Sequence, residues 1–126
     1  MAASVYSQIT AMIGRANALE YDDEWQAARE LFLVAADLAE ESGDDRARRL
    51  RGRANRILVA QAAAHRWPEF DFTDTGAKTS PLATLGYVDM REEGRGEIFF
   101  RILLANDVRA YARVDRHSRV HWSRLR

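Results

Sequence analysis

Apolar residues in the first half of the chain recur at steps of three and four. Val5, Ile9, Met12, Ile13, Ala16 and Leu19 fall on one face of a helix predicted over residues 4–19. Tyr21-Asp22-Asp23 breaks that pattern, and Asp22 or Asp23 is placed to cap a second helix over residues 23–42. In this helix Trp25, Ala28, Phe32, Ala35 and Ala39 form a stripe, which Leu31, Val34 and Leu38 widen. A helix apolar over so much of its girth is usually sandwiched between neighbours, and its breadth leaves a homodimer open. Gly43 supplies its stop. A third helix is predicted over residues 45–64, capped by Asp44 or Asp45. Its buried face is Ala47, Leu50, Ala54, Ile57, Leu58 and Ala62.

The period changes near Trp67-Pro68. Residues 67–82 contain both prolines and many turn formers, so they read as a connector. Its aromatics Trp67, Phe70 and Phe72 are expected to fold back over the helices. From residue 83 to 126, alternation between turn signals predicts an antiparallel meander of about four strands. These are Leu85–Met90, Glu97–Leu104, Val108–Val114 and Val120–Leu125. In the third, Val108, Ala110, Ala112 and Val114 alternate with Arg109, Tyr111 and Arg113. One sheet face is then apolar and the other rich in arginine. The expected fold class is α+β: a single domain of three N-terminal helices (1–66) packed against a C-terminal antiparallel β-meander (83–126).

Charge sharpens this picture. Nineteen basic and nineteen acidic residues cancel, yet they fall in blocks. Residues 1–45 balance to −8, residues 46–66 to +7, residues 67–97 to −4 and residues 98–126 to +5. Only Lys78 among the cations is not arginine. Arginine offers a planar fork for carboxylate or phosphate, although a GC-rich coding sequence also raises its use. Arg46, Arg49, Arg53 and Arg56 share one face of the third helix. Arg101, Arg109, Arg113 and Arg119 lie in or beside the strands, with Tyr111 and Trp122 interleaved. Acids cluster at the two ends of the second helix: Asp22 and Asp23 with Glu20 and Glu24, and Glu40 and Glu41 with Asp44 and Asp45. Opposed blocks of this kind steer partners even at zero net charge.

The spacing Trp25-x2-Ala28-x3-Phe32-x2-Ala35-x2-Leu38 is similar to the second helix of a tetratricopeptide-type unit, in which small residues let two helices approach. Gly14-Arg15-Ala16-Asn17-Ala18-Leu19 is echoed by Gly52-Arg53-Ala54-Asn55-Arg56-Ile57. Residues 5–62 would hold about one and a half such units. The family's usual Pro terminator is missing. The resemblance implies a helical protein-binding surface and assigns no catalytic residue. A plain three-helix bundle accounts for the same spacing.

The motifs that would carry chemistry are incomplete. The chain has no Cys, which excludes disulfides, thiolate metal sites and a Cys nucleophile. His117-x3-His121 has the spacing of a helical metal pair but falls in a predicted turn and strand, without a clear third ligand. Gly76-Ala77-Lys78-Thr79-Ser80 lacks the glycine directly before Lys that a phosphate loop needs. Glu69, Asp71 and Asp74 have no matching base or phosphate site. MAASVYSQIT lacks the cationic start and apolar run of a signal peptide, and no apolar run is long enough to span a bilayer. The expectation is a cytoplasmic protein without a membrane segment, cofactor or resident metal.

Three function classes follow. The first is a non-catalytic protein-binding module, an adaptor or inhibitor. Its cationic contacts would be Arg46, Arg49, Arg53, Arg56, Arg101, Arg109, Arg113 and Arg119, and its acidic ones Asp22, Asp23, Glu40 and Glu41. The alternative is a nucleic-acid-binding protein using the same arginine helix and sheet face. A small ribonuclease-like toxin is a further alternative, although such proteins normally begin with a strand.

Overall fold

The computed structural model describes residues 4–70, 72, 86–92, 98–104 and 107–124. Three helices precede a four-stranded antiparallel sheet: α1 (Val5–Tyr21), α2 (Trp25–Glu41), α3 (Ala47–Arg66), β1 (Gly86–Glu92), β2 (Ile98–Leu104), β3 (Asp107–Val114) and β4 (Val120–Arg124). The strands lie in sequence order, which is the meander that the alternation predicts. Most of the expected connector, residues 71 and 73–82, lies outside the described residues, as do residues 93–97, 105–106 and 125–126. Two compact units divide the chain within α3, Met1–Asn55 and Arg56–Arg126.

In the first unit α1 and α2 pack side by side. Ile9 and Ala16 of α1 are fully buried, as are Ala28, Phe32, Ala35, Ala36 and Ala39 of α2. So many alanines let two backbones come close, with Phe32 as the large filler. Ser4 caps α1 by accepting from the Ser7 amide. The three residues Asp22-Asp23-Glu24 then make the turn to α2. Here the expectation that Asp22 or Asp23 caps α2 is corrected. Glu24 occupies that cap position and makes no side-chain cap bond, while Asp22 and Asp23 close α1 instead. Glu24 N–H bonds the Leu19 carbonyl and Asp23 N–H the Glu20 carbonyl, with Asp23 at φ 62°. This is a Schellman closure, and its geometry claims the residues that a cap on α2 would need. The end of α2 repeats it with Gly43 at φ 72°, Asp44 N–H bonding Ala39 and Gly43 N–H bonding Glu40. Asp44 does cap the approach to α3, its Oδ1 accepting from the Arg46 amide.

The second unit contains the last turns of α3 and the sheet. Ile57, Val59, Ala60 and Ala63 are buried on α3. Val88, Phe100, Ile102, Leu104, Ala110 and Ala112 are buried on the strands. Cross-strand register sets Val88 opposite Ile102, Phe100 opposite Ala112 and Ile102 opposite Ala110, so these residues share one face. A shift of register between Ile102 and Leu103 brings Val108 opposite Leu103. The unbroken alternation expected from Val108 to Val114 therefore stops at Ala110, and Arg109 is the extra residue of a bulge.

Gly86 opens β1 where the ring of Phe72 lies against the backbone. A Cβ built on Gly86 would meet that ring at 2.6 Å, and Phe72 is itself buried. Gly86→Ala is therefore expected to destabilise the fold by about 1–3 kcal/mol through overpacking. Urea unfolding checks this, and pairing the change with Phe72→Leu should recover part of the loss.

Candidate functional site

The arginines divide into those that the chain itself engages and those that it does not. Arg46, just before α3, sends Nε to Asp44 Oδ1 at 3.0 Å and a terminal nitrogen to Asp44 Oδ2 at 2.8 Å. The same guanidinium reaches the Thr10 hydroxyl and the Tyr6 carbonyl, 4.1 Å above the Tyr6 ring. It thus clasps the entry of α3 to the first turns of α1. Arg51 reaches both Asp37 and Glu40 on α2. Arg53 meets Glu20 at 3.2 Å and lies over the Phe32 ring at 4.6 Å. Glu20 is buried, so this pair sits in a partly desolvated place. Arg56 gives its Nε to the Val88 carbonyl at 2.9 Å, and Arg48 is likewise engaged. Arg49 is exposed and has no ion-pair partner among the described residues.

The acids expected to form a second surface are placed accordingly. Glu40 is engaged by Arg51. Asp22 and Asp23 lie in the α1–α2 turn, and Glu41 is exposed at the end of α2. The structure brings Arg46, Arg53, Glu40 and the acidic partners of Arg51 into one helical unit. Arg101, Arg113 and Arg119 belong to the other.

On the sheet, register assembles the face opposite the buried one. Arg91, Phe99, Arg113 and His121 form one row across the four strands; Asp89, Arg101, Tyr111 and Ser123 form the next. Arg101 pairs with its cross-strand neighbour Asp89 at 2.7 Å. Phe99, Tyr111 and Arg113 are half-exposed, and Arg119 is exposed in the β3–β4 turn. Arg109 belongs to β3, but its side chain lies outside the described residues.

The β3–β4 hairpin holds a second feature. Asp115 Oδ1 accepts from the His117 and Arg119 amides, and Oδ2 meets His121 Nε2 at 2.7 Å. Ser118 takes φ 60° with its N–H on the Asp115 carbonyl, so the connection is a tight turn followed by a left-handed residue. The His121 bond and then the Arg119 amide hold the Asp115 carboxyl far below its usual range. Asp115 is the single acid of residues 108–124, and the turn engages it. Arg113, Arg116 and Arg119 have no ion-pair partner among the described residues. Beside the hairpin, Trp67 and Trp122 meet edge to face at 5.4 Å, with the Arg66 guanidinium 5.2 Å from each ring. Neither arrangement was read from the sequence. An Asp–His pair six residues apart becomes visible only once the turn length is known.

Among the described residues no group of three or more His, Asp or Glu side chains could hold a metal ion. No helix among them is long and apolar enough to cross a membrane. No family model matches the chain, and neither the curated proteins nor the solved structures hold a significant match.

The clasp at the start of α3 is pH-sensitive. The Arg46 side chain and then its backbone N–H hold the Asp44 carboxyl at about 2, against an ordinary value of 3.8. A folded pKa below the unfolded one gives stability that is complete above the ordinary value. That stability is lost as pH falls from 3.8 to about 2. The urea midpoint is expected to drop through this window, and to drop less in Asp44→Asn.

Proposed function

We propose that the chain is a non-catalytic protein-binding module, an adaptor or inhibitor, which holds an acidic partner through the cationic β3–β4 hairpin. One observation carries this reading. Most arginines in and around α3 are met within the chain by a carboxylate, a carbonyl or a ring. Those of the hairpin, Arg113, Arg116 and Arg119, are met by no acid among the described residues. Cations that the described acids leave unmatched set association rate and partner choice more than raw affinity. The similarity of residues 5–62 to a tetratricopeptide-type unit supports a further contact role for the α1–α2 pair.

A second reading rests on the outer sheet face. Phe99 lies opposite Arg113 and Tyr111 opposite Arg101, which is the aromatic and cationic mixture that single-stranded nucleic acid uses for stacking. The engagement of the α3 arginines favours the protein reading, because a phosphate grip along that helix would compete with existing pairs.

Two variants separate these readings. Arg119→Glu should weaken capture of a stoichiometric protein partner by about tenfold or more, with a steep salt dependence. Arg15→Glu, the same charge change on exposed α1, should leave capture intact. Equal loss in both would reduce the effect to net charge. A gel shift of labelled oligonucleotide at low salt, abolished by Tyr111→Ala, would instead favour the nucleic-acid reading.

A further inference from the structure

The two edges of the sheet are not equivalent. Asp115 N–H bonds the Arg119 carbonyl, and antiparallel ladders alternate. With the β3–β4 register, that bond turns the backbone groups of Arg119, His121 and Ser123 toward β3. Those of Val120 and Trp122 therefore point away from the sheet. The same alternation on β1 directs the Val88 carbonyl outward, and there Arg56 occupies it at 2.9 Å. No described residue bonds the outward backbone groups of Val120 and Trp122, and β4 stands at the end of the strand order. Within β4 the three residues between Val120 and Arg124 include no Lys, Arg or Pro, and its pairing with β3 has no register shift.

Resting on the protein-binding reading above, we infer that the outer edge of β4 receives an extended segment of the partner as a fifth strand, and that this segment alternates acidic and apolar residues. The edge supplies backbone donors and acceptors at Val120 and Trp122. Side chains of an added strand alternate between the two faces of the sheet. On the helix side they meet Val120 and Trp122, both half-buried, with the Trp122 ring fixed by Trp67 and Arg66. On the other side they meet His121 and Ser123, with Arg113 behind His121 in the same row. Arg116 and Arg119 stand exposed at the hairpin tip. Apolar residues suit the first side and carboxylates the second. A second copy of this chain is the poorer occupant, because edge-to-edge pairing of two hairpins would bring their arginines together.

The test uses the full chain, isotopically labelled, and a blocked synthetic peptide alternating Glu and Val. Binding should perturb the Val120 and Trp122 amides and slow their hydrogen exchange. A Lys-Val peptide should not bind. Val120→Pro removes an outward donor without touching the β3 ladder, a substitution edge strands tolerate. It should weaken the Glu-Val peptide by about tenfold or more. Should Val120→Pro fail to fold, amide protection in the unaltered chain decides the matter. The inference is overturned if Val120 and Trp122 are unprotected at saturating peptide, or if shifts centre on Arg101 and Tyr111. It is also overturned if Val120→Pro binds as the parent does. A natural partner lost in Arg119→Glu but kept in Val120→Pro sinks the strand addition alone. A partner indifferent to Arg119→Glu sinks the underlying reading.

Discussion

The helical unit depends on the meeting of Arg53 with Glu20. These residues stand thirty-three positions apart, and they join where α1 ends and α3 has begun. Burying two charges costs several kcal/mol per ion, on the order that a close, hydrogen-bonded geometry can return. The return is largely in position. Glu20 has little freedom once buried, and Arg53 is held between it and the face of Phe32. Slipping α3 by one residue would take Arg53 from a desolvated carboxylate, and losing a charged partner in such a place costs more than the pair returns. Arg46 with Asp44 and Arg51 with Asp37 and Glu40 reinforce the same alignment. The alanine-rich contact of α1 and α2 supplies closeness, and the ion pairs supply the register that small side chains define poorly.

Much of this architecture was legible in the sequence. The three- and four-residue steps gave three helices to within a few residues, and alternation gave four strands in order. The misreadings have local causes. Asp22 and Asp23 have the chemistry of an N-cap, yet the closure of α1 takes both. The run from Val108 to Val114 alternates on paper, but a bulge depends on how β3 meets β2 and leaves no mark in β3 alone. The charge blocks were visible from the start, whereas their pairing was not. A count of charges shows that Arg46, Arg51 and Arg53 have acids to meet, and only the fold shows which acids.

The pairing alters what the basic blocks mean. The α3 arginines are mostly internal fasteners: Arg51 and Arg53 meet acids of α2 and α1, Arg56 a strand carbonyl and Arg66 two tryptophan rings. The hairpin arginines have a different status, because the one acid among them is committed to its turn through two backbone amides and His121. The aromatic residues of the outer face lie beside cations for a plain geometric reason. Each sits one strand away from an arginine in the same row. Cationic and aromatic side chains therefore share that face.

The Arg56 contact with Val88 has a consequence for assembly. A sheet with two open edges can grow without limit, each added strand presenting a fresh template for the next. Here one outward carbonyl of β1, that of Val88, is already taken by a side chain from the preceding helix. The β1 edge is in that sense a less ready template, because a strand added there must first displace the guanidinium.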